Sequence, residues 1–97
     1  MSCGSSFSKN ISCSEWKDNF QKNYEEMSKN NSSNAQLNLE RNIDSFNKNK
    51  SSLYCVDEYT GSLRIAKKEF CEASKELQKK DLIKDQNTTN HIDKFCK

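Results

Sequence analysis

The stretch SCSEWKDNFQKNYEEM, residues 12–27, combines a helix-start signal with one continuous apolar helical face. Its first four residues, Ser12-Cys13-Ser14-Glu15, match a capping box, in which the serine hydroxyl accepts from the N3 amide and the glutamate reaches back to the cap amide. Apolar residues then recur at spacings of three, four, four and three: Cys13, Trp16, Phe20, Tyr24 and Met27. Because this spacing is typical of a helix packed on a core, the stretch predicts a helix from about Cys13 to about Lys29.

Two similar stripes follow this first predicted helix. The polar run SKNNSSN, residues 28–34, favours a turn, because Asn and Ser side chains hydrogen-bond to their own backbone. A capping box at Ser33 and Gln36 and the next stripe predict a second helix that ends near Lys48: Ala35, Leu39, Ile43 and Phe46. The last stripe, after Gly61, predicts a third helix from about Ser62 to about Lys80: Leu63, Ala66, Phe70, Ala73 and Leu77.

The remaining apolar residues form two short clusters. Leu53-Tyr54-Cys55-Val56 is too short for periodicity to separate a helical turn from an extended piece, and we interpret it as a helical turn. A final amphipathic turn carries Ile92, Phe95 and Cys96. The predicted fold class is all-α, a small antiparallel three-helix arrangement. Residues 1–12 are expected to be a flexible tether, and residues 13–97 a disulfide-stapled helical domain with a disulfide-tied C-terminal tail.

The composition indicates a thin core. Leu, Ile, Val and Phe number 17 of the 97 residues, while Ser and Asn contribute 14 and 12. The formal net charge is only +2, with charges of both signs interspersed, which gives no basic footprint for nucleic acid. No run of about 18 apolar residues occurs, so no transmembrane helix is predicted. Five cysteines in so short a chain predict disulfides, which commonly stabilise small exported domains.

Four of the five cysteines lie at the edges of apolar clusters: Cys13, Cys55, Cys71 and Cys96. Four cysteines can pair in three ways. An up-down-up helix order brings the start of the first helix to the same end as Cys55, which favours a Cys13–Cys55 bond. Cys71 then pairs with Cys96 and ties the tail to the third helix.

Cys3 has a different setting, within Ser2-Cys3-Gly4-Ser5-Ser6. This segment resembles the mature N-terminus of a bacterial lipoprotein, in which a small residue precedes the lipid-modified cysteine and a Gly/Ser tether follows it. The resemblance covers about six residues. It implies that Cys3 carries an acyl anchor, which would be the protein's only attachment to a membrane, and that the rest of the chain stands off the membrane surface.

Two other interpretations of the cysteines remain open. Cys3 and Cys13 have the C-x9-C spacing found in one half of the twin-cysteine helical hairpins of the mitochondrial intermembrane space, but fifteen residues separate Cys55 from Cys71. A metal site would need the set Cys55, Cys71, His91 and Cys96, in which only the last two have the close spacing that structural zinc prefers. We therefore predict no metal site.

The sequence also predicts no catalytic site and no cofactor. His91, the only histidine, lies in a polar segment near the end of the chain, where an exposed or capping role is favoured. Glycine occurs only at positions 4 and 61, which excludes a glycine-rich phosphate loop. The chain is therefore not expected to be an enzyme.

The function expected from these features is protein binding in the cell envelope. The chain is predicted to be exported, to the periplasm, the outer membrane or the extracellular space, and to be lipid-anchored through Cys3. An inhibitor, immunity or exclusion role fits its size. Trp16, Phe20 and Tyr24 are candidate partner-binding residues because large aromatics dominate interface hot spots, although a core role is favoured. The alternative is a structural or assembly subunit of a larger complex.

Overall fold

Four helices and one two-stranded hairpin form the part of the chain that the computed structural model describes, residues 10–50 and 53–97. The elements in chain order are α1 (Cys13–Asn30), α2 (Ser32–Asn47), β1 (Tyr54–Val56), β2 (Leu63–Ile65), α3 (Lys67–Lys79) and α4 (Gln86–Phe95). The expectation of a mainly helical, disulfide-bonded fold is confirmed. The finer prediction of an all-α, three-helix arrangement is wrong, because the chain has a fourth helix and a hairpin.

Side-chain caps define the starts of α1 and α2. The Ser12 hydroxyl accepts from the backbone N–H of Glu15 at 3.2 Å, as the capping box predicts. The second helix begins earlier than predicted, because the Asn31 side chain accepts from the N–H groups of Ser33 and Asn34. Asn31 is therefore the only residue between α1 and α2, and the chain reverses direction there.

The hairpin replaces two predicted helical segments. Tyr54 pairs with Ile65 and Val56 with Leu63 in antiparallel register, so the interpretation of residues 53–56 as a helical turn is wrong. The third helix begins at Lys67 rather than near Ser62 for the same reason. β-branched and aromatic residues favour strands here, and the intervening turn uses Asp and Gly. Strands of three residues are too short to show an alternating pattern.

Ion pairs and hydrogen bonds give the directions of the helices. Lys17 pairs with Glu72 at 4.0 Å, and Glu25 pairs with Lys80 at 2.8 Å, so positions on α1 and α3 advance together and the two helices run parallel. In the same way, Glu40 accepts from Thr88, and the Phe46 and Phe95 rings are 5.5 Å apart, so α2 and α4 run parallel. Successive helices therefore alternate in direction.

Phe70 lies at the centre of the core and is fully buried. Its ring centroid is 5.2 Å from that of Phe20, 5.1 Å from that of Phe46 and 5.6 Å from that of Phe95, so residues of all four helices meet there. All four residues of the α2 stripe are buried: Ala35, Leu39, Ile43 and Phe46. The helical spacing therefore predicted this face correctly.

Two disulfides tie the elements together. The bond between Cys13 and Cys55 joins the start of α1 to β1, with a Cα–Cα distance of 4.9 Å, and the bond between Cys71 and Cys96 joins α3 to the end of α4, at 5.8 Å. These are the pairs that the predicted helix order favoured. The predicted C-terminal tail is a helix, α4, rather than a single turn.

The chain packs against the hairpin before α1 begins. The carbonyl of Ile11 accepts from the N–H of Val56 at 2.9 Å, and Ser12 forms a parallel bridge with the same residue. The predicted anchor Cys3 and most of the predicted tether lie outside the described residues. None of the helices within 10–50 and 53–97 is long and apolar enough to cross a membrane.

Candidate functional site

An open cleft of about 640 Å³ lies along α1 and α2. Its apolar surface is formed by Trp16, Phe20, Met27 and Leu53. Five amide side chains also line the cleft, three from α1 and two from α2: Asn19, Asn23, Asn30, Asn38 and Asn42. Glu26 is the one charged residue among the described lining residues. The cleft therefore offers an aromatic floor with a polar rim that is uncharged apart from Glu26.

The floor packs against the core beneath it. Trp16 and Phe20 are one helical turn apart on α1, and their rings stack with centroids 5.4 Å apart and planes 7° from parallel. The Trp16 ring also meets Phe46 edge-on at 6.0 Å, and Phe20 contacts Phe70. Both floor aromatics remain partly exposed, so they belong to the core and to the cleft at once.

The rim side chains can both donate and accept hydrogen bonds. Asn42 Nδ2 donates to the Asn38 carbonyl at 2.8 Å and to Asn38 Oδ1 at 3.2 Å, which orients the pair on α2. Each asparagine carries two N–H donors and one carbonyl acceptor. Amides beside an aromatic surface suit a neutral ligand that combines apolar groups with peptide-like donors and acceptors.

Tyr24, the third aromatic of the predicted binding set, does not line the cleft. It is 2% exposed, and its hydroxyl donates to the carbonyl of Leu82 at 3.4 Å. Burial raises the pKa of Tyr24 above its ordinary value. The structure thus divides the three aromatics, with Trp16 and Phe20 at the cleft and Tyr24 in the core.

A charged network that the sequence analysis missed lies at the hairpin. Arg64 Nε donates to Asp57 Oδ2 at 2.9 Å, while its two terminal nitrogens each donate to an oxygen of Glu69 at 3.0 Å. Hydrogen bonds from Arg64 and from the backbone N–H groups of Thr60 and Tyr59 lower the pKa of Asp57 to about 2. The hydrogen bond from Arg64 also lowers the pKa of Glu69, outweighing the effect of burial. The carboxylates in turn raise the pKa of Arg64.

The sequence offered a signal for this part of the structure. Asp57 and Gly61 are residue types that favour turns, and Arg64 follows them closely enough to pair with Asp57 across the turn.

The sulfurs of the four described cysteines are not placed to act as metal ligands. Ligand atoms of Cys13, Cys55 and Glu69 lie within 4.8 Å of one another, but the two sulfurs are bonded together and Arg64 engages the carboxylate. The set Cys55, Cys71, His91 and Cys96 is divided between the two disulfides. His91 is exposed and lies instead with Lys67 and Lys94 at a smaller cavity of about 380 Å³.

The described residues thus present two surfaces of interest: the cleft between α1 and α2, and the hairpin turn with its charged network. The cleft holds both remaining aromatics of the predicted set. No protein-family model, curated protein or solved structure matches the chain.

Proposed function

We propose that this protein is a small, exported, non-enzymatic module that binds an extended, uncharged segment of a protein partner in the α1–α2 cleft. Two disulfides are compatible with an oxidising or extracytoplasmic compartment. Anchoring through a lipid on Cys3 is part of the proposal and rests on the resemblance of residues 2–6 to a mature lipoprotein. An inhibitor, immunity or exclusion role would use such a surface.

The observation that carries the proposal is the pairing of an aromatic floor with an amide rim. The α1 side of the cleft runs from Trp16 to Asn30, which at a rise of 1.5 Å per residue is roughly 21 Å. An extended chain of about six residues has the same length at about 3.3 Å per residue. Its peptide groups could hydrogen-bond to the rim while alternate side chains contact Trp16 and Phe20.

The lining chemistry favours binding over catalysis. A general acid or base needs a titratable group within hydrogen-bond reach of the reacting atom, and Glu26 is the one candidate among the described lining residues. Amide side chains neither take up nor release protons near neutral pH. The five rim amides can therefore orient a ligand, but they cannot transfer protons.

A photoreactive side chain placed at the rim tests this proposal. We would introduce benzoylphenylalanine at Asn23 in the cleft and, as a matched control, at Asn34, an exposed asparagine of α2 outside the cleft. We expect irradiation in extracts of the producing cells to give a discrete adduct from position 23 only. An excess of the unmodified chain should suppress that adduct, whereas the double variant Asn19→Ala/Asn23→Ala should not. Equal adducts from both positions, or none from position 23, would overturn the proposal.

A further inference from the structure

Tyr59 is the most exposed large hydrophobic side chain of the described residues. It is 98% exposed and lies at the tip of the β1–β2 hairpin. Leu63, at the start of β2, is 51% exposed. An aromatic ring that stays fully exposed removes no apolar surface from water on folding. Its placement therefore adds no hydrophobic stability to the fold. The turn that carries it is nevertheless closely held.

Hydrogen bonds within the turn fix its backbone. Asp57 Oδ1 accepts from the N–H groups of Tyr59 at 2.8 Å and Thr60 at 3.0 Å. The N–H of Gly61 donates to the Asp57 carbonyl at 2.8 Å, and the N–H of Asp57 donates to the Ser62 carbonyl at 2.9 Å. Gly61 has φ of 73°, a left-handed conformation that favours glycine.

Contacts with the helices fix the turn relative to the rest of the molecule. Arg64 joins Asp57 to Glu69 in the first turn of α3. On the other side, the Glu58 carboxylate accepts from the backbone N–H and the hydroxyl of Ser14, at the N-terminal end of α1. The Cys13–Cys55 disulfide lies at the base of the same hairpin. Both neighbouring helices thus hold the turn.

We propose that the hairpin tip, residues 57–61, is a preorganised recognition element whose Tyr59 ring enters an aromatic-sized pocket with a basic rim on a protein partner. Because the backbone is already ordered, binding would cost little further conformational entropy, and tyrosine is among the residues that most often dominate interface energies. The charge around the ring argues for a basic rim. Asp57 and Glu58 are the two charged residues of the tip, and both are acidic, while Arg64 is shared between Asp57 and Glu69.

This inference is independent of the cleft, so the two can be tested separately. The first test uses the free chain alone, by measuring the heteronuclear ¹⁵N NOE of residues 57–61. We expect values as high as those of β1 and β2. Low values confined to the tip would contradict preorganisation and overturn the proposal.

In the second test, each variant is immobilised, and the protein that it retains from extracts of the producing cells is measured. Tyr59→Ala should reduce retention of a specific protein at least about tenfold, as expected for a hot-spot residue. Tyr59→Phe and the matched exposed-residue variant Leu37→Ala should retain as much of that protein as the unmodified chain does. All three variants should have the melting temperature of the unmodified chain. Raising the salt concentration should weaken this retention because the proposed pocket rim is basic. The cleft variant Asn19→Ala/Asn23→Ala should not reduce the retention that depends on Tyr59.

Two results would overturn the proposal for the tip. One is retention of the same proteins by Tyr59→Ala as by the unmodified chain. The other is Tyr59-dependent sedimentation with vesicles of phosphatidylethanolamine and phosphatidylglycerol, which would assign the ring to a membrane surface. In either case an Asn23 adduct would still support the cleft, so the two proposals fail separately.

Discussion

Arg64 shows how one side chain can organise a turn. Its guanidinium is bidentate with Glu69 and also bonds Asp57, a geometry that a lysine could not reproduce because it lacks the planar fork. Asp57 uses its second oxygen to accept from two backbone N–H groups of the turn. The charged form of Asp57 is therefore the form that the folded structure requires.

The lowered pKa of Asp57 makes the stability of the protein depend on pH. Its folded pKa of about 2 lies below the ordinary value of 3.8, so the ionised carboxylate stabilises the fold above about pH 4. This contribution is lost as the pH falls towards 2. We expect Asp57→Asn to lower the urea midpoint at pH 7 and to match the unmodified chain near pH 2.

Two measurements check this prediction. Urea unfolding at several pH values gives the difference in midpoint, and a carboxyl ¹³C titration gives the pKa of Asp57 directly. The exposed residue Asp18 provides a matched control, because Asp18→Asn should leave the midpoint unchanged at both pH values. A difference for Asp57→Asn that stays constant from pH 7 to pH 2 would contradict the ionic role of Asp57.

At the scale of elements, α1, α2 and most of α3 were predictable, whereas α4 was expected to be a single turn and the hairpin was not predicted. The capping box at Ser12 and the regular apolar spacing gave a helix whose start at Cys13 is correct and whose end at Asn30 is one residue beyond the prediction. The hairpin could not be recognised because Leu63 and Ala66 continue the α3 stripe at helical spacing. The actual pairing of β1 and β2 depends on contacts between residues that are far apart in the chain.

The cleft was only half predictable, for a similar reason. Trp16 and Phe20 stand out in the sequence as large aromatics, but nothing local separates them from Tyr24, which is buried. The rim asparagines of α1 resemble an ordinary solvated face. They line a cleft because α2 places Asn38 and Asn42 opposite them, and that placement requires the tertiary structure.

The hairpin tip should resist proteolysis despite its exposure. Chymotrypsin cleaves after aromatic residues in chains that open locally, and the hydrogen bonds of Asp57 oppose that opening. We expect slow cleavage after Tyr59 in the unmodified chain and at least about tenfold faster cleavage in Asp57→Ala. Peptide mapping by mass spectrometry identifies the cut. Rapid cleavage of the unmodified chain after Tyr59 would show that the tip is not held.

The Cys71–Cys96 disulfide should determine the stability of α4. This helix of ten residues is too short to be stable alone, and the bond closes a sequence separation of 25 residues. We expect the double variant Cys71→Ser/Cys96→Ser to lose about 3 kcal/mol of unfolding free energy. Hydrogen exchange should accelerate in residues 86–95 more than in α1.

The variant His91→Ala is the matched control for this prediction, because His91 is an exposed residue of the same helix. It should leave both the unfolding free energy and the exchange rates close to those of the unmodified chain. Uniform acceleration of exchange over all four helices in the cysteine variant would contradict a local role for the disulfide.

At the scale of the whole molecule, a small aromatic core and two disulfides support two separate exposed surfaces. Phe70 joins residues from all four helices, and the disulfides fix the hairpin and α4 to the parallel pair α1 and α3. A domain of this size has a total stability of about 5 to 15 kcal/mol, so each disulfide is a large share of it. The cleft and the tip are therefore both built on elements that the core and the disulfides hold together.

The central claim is that the α1–α2 cleft is the surface that binds a protein partner. The most direct measurement is the affinity of the protein captured at position 23 for the unmodified chain, for Asn19→Ala/Asn23→Ala and for the matched variant Asn34→Ala. We expect the cleft variant to bind at least about tenfold more weakly, with an unchanged melting temperature, and Asn34→Ala to bind as the unmodified chain does. Equal affinity of all three chains would contradict the claim.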